Sequence, residues 1–275
     1  MRPLLRAASA IAVVGALTAG CASVGGHGAA GPAGSAEPAL SNPPDGTATA
    51  SSSASGLAPA SSSASSSSVP TAPGTGTTQV DAALPNLGPA TLAKIPANSR
   101  EVVEVVGDGP NSPDSTLVLY QLTADGWQAG PQWAAHNALH GWTAHKQQGD
   151  LRSPIGVFGL TDAGGRDADP GSKLPYYRSA NFVIGGRGFE GEPLAGSFDY
   201  VIAINYNRKA GASPLDDTYP LGWEKGTGVW IHVDHGGPTH GCVSIPRADI
   251  ITLLGLLDPA QHPVVVMGDA ADLAH

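Results

Sequence analysis

From Ala22 to about Asn98 the chain has almost no aromatic or large apolar side chain, and that absence decides where a folded domain can begin. The segment is Ser, Ala, Gly, Pro and Thr, with a run from Ser61 to Ser68 broken only by Ala64. Such a stretch cannot bury enough apolar surface to offset the entropy of ordering its backbone. Residues 21–98 are therefore expected to be a disordered tether. As a random coil of about 5–6 Å times the square root of its residue number, the tether spans tens of Å. A spacer that only aids solubility is the plainer alternative. The remainder, Ser99 to His275, is long enough for one domain with its own core. The whole-chain figures of 41% hydrophobic and 13% charged understate that part, because the tether dilutes both.

Ahead of the tether, Arg2 and Arg6 precede the apolar run Ala7 to Ala16 and the small-residue site Leu17-Thr18-Ala19-Gly20-Cys21. This pattern reads as a secretory signal over residues 1–20. Its apolar run is well short of the roughly 20 residues that span a bilayer. Gly20-Cys21 resembles a bacterial lipobox, with Thr18 where Leu, Val or Ile is usual. The resemblance implies an acylated Cys21 as mature N-terminus, holding the protein to the outer face of the cytoplasmic membrane. The alternative is that Cys21 leaves with the signal.

On either reading Cys21 cannot pair with the second of the 2 cysteines, Cys242. A lone thiol in an exported protein is selected against unless it is used. The formal charge of -9 becomes more negative once Arg2 and Arg6 are removed, and no basic stripe is left to neutralise phosphates. Nucleic-acid binding is therefore not expected, nor is electrostatic docking on an anionic surface.

Short segments rich in Val, Ile, Leu and aromatics, bounded by Gly, Pro, Asn and Asp, predict strands at Glu101–Val106, Thr116–Leu122, Gly156–Leu160, Tyr200–Tyr206, Val229–Val233 and Pro263–Met267. Helical spacing of apolar residues occurs over Arg247–Leu257, after Pro246 and before Asp258-Pro259. The predicted class is mainly β, a β-sandwich or open barrel with few helices over residues 99–275.

Chemistry concentrates in Ile231-His232-Val233-Asp234-His235-Gly236-Gly237-Pro238-Thr239-His240-Gly241-Cys242-Val243-Ser244-Ile245-Pro246, where the thiol sits among three histidines on a glycine-rich turn. The Thr239-His240-Gly241-Cys242 turn, the upstream His232 and the stretch Gly149-Asp150-Leu151-Arg152-Ser153-Pro154-Ile155-Gly156-Val157-Phe158 resemble the L,D-transpeptidase catalytic domain, also called the YkuD domain. The better-known members separate histidine and cysteine by more than the ten positions found here, and they carry Arg or Asn where this chain has Ser244. A shorter-loop branch of the family fits better.

The resemblance implies cross-linking of peptidoglycan stem peptides, with no cofactor. It implies Cys242 as nucleophile and His232 as general base. A neighbouring imidazolium can lower the thiol pKa by several units. The backbone N–H groups of Cys242 and of Gly241 or His240 would form an oxyanion hole, and His240 would shape the site. The His232 ring would be oriented by the carbonyl of Val233 or Asp234, or by the Asp234 carboxylate. Thr239, Asp234, His235 and Tyr206 are candidate binding residues, with His235 as a solvated loop residue and Tyr206 as a core-edge tyrosine being the plainer readings.

Three other readings stay open. Water in place of an acceptor amine gives a carboxypeptidase. A protein with a silent site is a peptidoglycan-binding lipoprotein. His232, His235, His240 and Cys242 are also ligand types that zinc takes. A second group, His136, His140 and His145, lies in residues that read as strand and turn, with ordinary surface or packing roles. Arg152 and Arg187 are expected to be solvated, with a substrate carboxylate as the alternative partner.

Overall fold

The computed structural model describes residues 80–81 and 83–275; the signal segment, Cys21 and the tether up to residue 79 lie outside the described residues. The strands are β1 Val80–Asp81, β2 Glu101–Gly107, β3 Asp114–Leu122, β4 Trp127–His136, β5 Trp142–Thr143, β6 Ser153–Pro154, β7 Gly156–Gly165, β8 Tyr176–Arg178, β9 Val201–Ile204, β10 Trp230–Val233, β11 Val243–Ile245 and β12 Val264–Asp269. The α-helices are α1 Pro89–Leu92, α2 Arg247–Leu256 and α3 Ala270–Leu273. Among the described residues no helix is long and apolar enough to cross a membrane.

Neighbouring strands run β4-β11-β10-β9-β7-β12-β2-β3, and β3 pairs back onto β4, so eight strands form a closed barrel. The mainly β class with few helices is what the sequence predicts. The sheet is closed, however, where the sequence left a sandwich or an open barrel. Closure comes from β4, which pairs along its length with β3 and at its last residue with β11, through His136 opposite Ser244.

Side chains alternate across each strand, and here the alternation sorts them into a barrel interior and an outer face. Val103, Val105, Leu117, Leu119, Ile202, Ile204, Ile231, Ile245, Val265 and Met267 form the interior cluster, joined by Ile250, Leu253 and Leu254 of α2. On the outer face, Val102, Tyr120, Val264 and Val266 are covered by Leu84 and Leu273. Leu84 belongs to the segment expected to be tether, and the ordered domain therefore begins well before Ser99. This stretch is docked by its backbone: Gly88 N–H donates to Leu273 O (2.8 Å), and the N–H groups of Ala90 and Thr91 donate to His275 O at 2.9 and 3.0 Å. A Cβ on Gly88 would lie 2.1 Å from Ala274 O, so the approach requires glycine.

β10 and β11 are parallel neighbours, with Ile231 opposite Val243 and His232 opposite Ser244. A parallel pair brings both strand starts to the same end. The loop from Asp234 to Cys242 must therefore run back along β10 and deliver Cys242 beside Trp230. The parity of the strands then puts Trp230, His232 and Cys242 on one outer face, against Phe182, Phe198, Val201 and Ala203.

The segment after β9 carries the wall facing this turn and is held by polar groups. Arg208 pairs with Asp162 at 3.0 Å, both buried, and the same carboxylate oxygen accepts from Gly211 N–H (2.9 Å). Asn207, in the left-handed region at φ 45°, donates to the carbonyls of Gly222 (2.8 Å) and Gly226 (2.7 Å) and accepts from Leu221 N–H (2.7 Å). Replacing Arg208 strands the Asp162 carboxylate without its countercharge. Arg208→Met is expected to lower stability by about 3–5 kcal/mol, read as a shift in the urea midpoint of the full-length chain.

Candidate active site

The turn that carries the thiol is fixed from several sides. Thr239 Oγ1 donates to Cys242 O (2.7 Å) and accepts from Gly241 N–H (3.3 Å), while Ser153 Oγ also donates to Cys242 O (3.2 Å). Thr239 itself is tied to the segment after β4, accepting from Leu139 N–H (3.0 Å) and donating its N–H to Asn137 O (2.9 Å). Its role is thus to hold the turn. Gly241 N–H is used inside the turn, whereas the N–H groups of His240 and Cys242 donate to no acceptor among the described residues. These two are the free donors that a developing oxyanion needs.

The Cys242 sulfur accepts from Trp230 N–H at 3.5 Å and lies 3.4 Å from Gly228 O, toward which its S–H points. Burial pushes the thiol up to about 11. Burial also pushes His232 down to about 4, against the opposing effect of its bond to Val233 O. At neutral pH both groups are uncharged, because a low-dielectric site disfavours each charged form. The expectation of a thiolate held beside an imidazolium is therefore not met in the resting site. The sulfur makes no hydrogen bond to the His232 ring.

His232 Nδ1 lies 2.9 Å from Val233 O and must donate to it, since a carbonyl only accepts. That fixes the tautomer and leaves Nε2 with its lone pair, the form a general base requires. Of the three groups expected to orient the ring, the Val233 carbonyl does so. The Asp234 carboxylate is engaged elsewhere, taking His136 Nδ1–H (2.8 Å), Ser244 Oγ–H (2.7 Å) and Gly236 N–H (3.1 Å). Asp234 thus braces β11 against β4 and does not touch His232. His136 gains a partner in the same way, a role that sequence reading placed among ordinary packing positions.

His235 is not a solvated loop residue. Its side chain is buried, its ring stacks on His232 with centroids 5.8 Å apart and 15° between planes, and Nδ1 lies 3.2 Å from Glu192 Oε1. The two atoms are close but poorly aligned for a hydrogen bond. His240 points the other way, exposed, with its ring 4.7 Å from that of Phe189. Among the described residues no group of three or more His, Cys, Asp or Glu side chains is arranged to hold a metal ion.

Two cavities meet at Cys242. One, of about 310 Å³, is walled by Ile184, Leu194, Phe198, His232, His235 and the sulfur. The other, of about 160 Å³, is walled by Lys146, Gln148, Leu151, Thr227 and Gly241. Gly228, His240 and Cys242 line both. Leu151 sits in the left-handed region at φ 56°, strain of a kind that gathers at functional sites.

Tyr206 lines neither cavity. Its hydroxyl donates to Lys225 O (2.8 Å), which steadies the chain leading to Gly228, and burial raises its pKa. Arg152 is also committed to structure, donating to Trp142 O (3.0 Å) and Asn111 Oδ1 (2.9 Å). Arg187 bonds to Gly191 O within its own loop.

Sequence reading missed Lys146, Glu192 and Gly228. Ser153 lies inside the recognised motif, but its bond to Cys242 O was not foreseen; Lys146 and Glu192 carry no local pattern that marks them.

No family model matches the sequence, and no curated protein matches it. Among solved structures, the chain is similar to the structure of Bdellovibrio bacteriovorus Bd1075, at 17% identity and a TM-score of 0.36. The match covers 62% of this chain and spans about half, 48%, of that one.

Two outcomes are expected from the site's charges. The bond to Asp234 raises the His136 pKa above its ordinary 6.5, so its stabilisation is full below that value and lost as pH rises through the raised one. Asp234, held down to about 2, contributes stability above about 3.8 that is lost as pH falls toward 2. Urea midpoints against pH should show both flanks, and His136→Gln should flatten the upper one. Alkylation of Cys242 by iodoacetamide should be slow at neutral pH and keep rising above pH 9. A rate plateau below pH 7 would instead mark a preformed thiolate.

Proposed function

We propose that this chain is an L,D-transpeptidase of the cell envelope, a cysteine acyltransferase acting on peptidoglycan stem peptides. In this reading it is exported and held to the membrane by lipid on Cys21. The observation that carries the proposal is the shared outer-face cavity of Cys242 and His232, with the ring's Nδ1–H committed to Val233 O and Nε2 left basic. The sequence motif that places Cys242 after Thr239-His240-Gly241 supports it independently.

The chemistry follows from a neutral pair. Rotation of the Cys242 side chain away from Gly228 O turns the sulfur toward the cavity that holds His232. Nε2 takes the thiol proton as the sulfur attacks the carbonyl of the L-centre that precedes a terminal D-residue. The S–C bond forms, and the free N–H groups of His240 and Cys242 meet the oxyanion. The C–N bond then breaks, and His232 returns the proton to the leaving amine. This leaves a thioester and frees the D-residue. An amine on a neighbouring stem attacks the thioester to give a cross-link; water in its place gives a carboxypeptidase. Two cavities flanking one sulfur favour the first outcome, since they offer separate places for acyl donor and acceptor. A silent peptidoglycan-binding protein is the second reading, favoured by a resting sulfur bonded to Gly228 and Trp230 instead of His232.

The test is incubation with tetrapeptide and pentapeptide muropeptides, with product masses read out. Wild type is expected to release the terminal D-residue and yield cross-linked dimer. Cys242→Ala should yield neither, and His232→Gln should be slower by about 10²–10⁴-fold. Release that persists in Cys242→Ala would remove the nucleophile assignment. Intact peptides throughout would favour the binding protein.

A further inference from the structure

We infer that Lys146 forms a carboxylate-binding subsite beside Cys242, which receives the terminal carboxylate of the departing residue. This deepens the acyl-transfer reading and rests on it. Lys146 is 6% exposed, far below what is usual for a lysine, and it lines the smaller of the two cavities at the sulfur.

An ammonium has three N–H donors. Two are taken by Gln147 O (3.0 Å) and by the Asp150 carboxylate, and the third has no protein acceptor among the described residues. The ammonium is also fixed in place. Asp150 is itself anchored by the N–H groups of Gln147 (2.8 Å) and Arg152 (3.0 Å), while Gln148 N–H donates to Glu224 O (2.8 Å) across the cavity rim. Nζ lies 3.7 Å from where a Cβ on Gly241 would sit, and Cε lies 3.4 Å from it. A larger residue at 241 would crowd the charge away from the nucleophile's turn.

The substrate class follows from the bonding distances. When sulfur attacks a peptide carbonyl, the leaving nitrogen is adjacent to the reacting carbon, and a C-terminal carboxylate lies only two bonds beyond that nitrogen. A buried cation with one free donor, next to the sulfur in a cavity of about 160 Å³, suits one small residue ending in a carboxylate. An internal peptide bond offers no carboxylate at that place and would leave the free donor without its anionic partner. The same subsite would favour an acceptor amine that bears a carboxylate on its α-carbon over a simple alkylamine, because acceptor and leaving amine occupy the same place.

The test uses the full-length chain carrying Cys242→Ala, so that binding is read without turnover, and calorimetry with a tetrapeptide as free acid and as C-terminal amide. The acid is expected to bind about ten- to a hundred-fold more tightly, the range for one charge-assisted hydrogen bond. Adding Lys146→Met should erase that preference, bringing acid and amide to the same affinity, while Lys146→Arg should keep most of it. Because Asp150 retains two N–H donors, Lys146→Met is expected to fold; a thermal melt checks this.

Equal affinity for acid and amide, a preference that survives Lys146→Met, or failure of both peptides to bind would each overturn the inference. The acyl-transfer reading fails separately. A protein that prefers the acid but never forms a thioester keeps the subsite and loses the enzyme, whereas equal turnover of acid and amide by the wild type does the reverse.

Discussion

Strand β11 is three residues long, and both the closure of the barrel and the position of the thiol depend on how it is held. On one side it pairs parallel to β10, which forces the connecting loop to double back and sets Cys242 beside Trp230. On the other it meets β4 through a single opposed pair, Ser244 and His136. So narrow a junction needs reinforcement. The Asp234 carboxylate supplies it by bonding both His136 and Ser244, one from each strand. The carboxylate two residues after His232 is thus used to close the sheet, and the His232 ring itself is oriented by a backbone carbonyl.

That division has an electrostatic consequence. With Asp234 directed at His136, neither its through-space charge nor the bond to Val233 O offsets the burial of the His232 ring, and the ring stays neutral well below ordinary pH. The thiol is driven the same way by the same burial. An uncharged pair avoids the desolvation cost of two buried ions. In the proposed acyl transfer it would place proton transfer within the reaction step instead of before it. Two titratable pairs, Lys146–Asp150 and His235–Glu192, flank the site. The first borders the small cavity and the second the large one.

Much of the barrel was legible because strands buried on the inside carry regular apolar patterns. The predicted segments at Glu101, Thr116, Gly156, Tyr200, Val229 and Pro263 each fall on an observed strand, and α2 ends one residue before Leu257. β4 was not legible. Its residues Gln128, Gly130, Pro131 and Gln132 sit on a stretch that is exposed or half-buried on both faces, and only Trp133 and Ala135 show the alternation. Without β4 the barrel has no closing strand, and this is why an open sheet was the natural expectation. The segment before Ser99 was misread for a related reason: Leu84, with Leu87, Leu92 and Ile95 packed around the same cluster, and backbone bonds to the C-terminus order it, and so few, scattered apolar residues are hidden by the composition of the longer stretch.

At the site, the turn and its histidine were readable from local motif alone. Contacts made across the fold were not. The burial of His235 depends on Glu192 in a distant loop, Tyr206 acts through Lys225, and Lys146 gains meaning only when its loop folds against Gly241. The most direct measurement of the central claim, that Cys242 attacks with His232 as its base, is intact-mass analysis after exposure to a thiol-reactive carbapenem. A single covalent adduct mapped to Cys242, absent in Cys242→Ala and formed far more slowly in His232→Gln, is the expected result. Unmodified wild-type protein, or an adduct whose rate is indifferent to position 232, would contradict it.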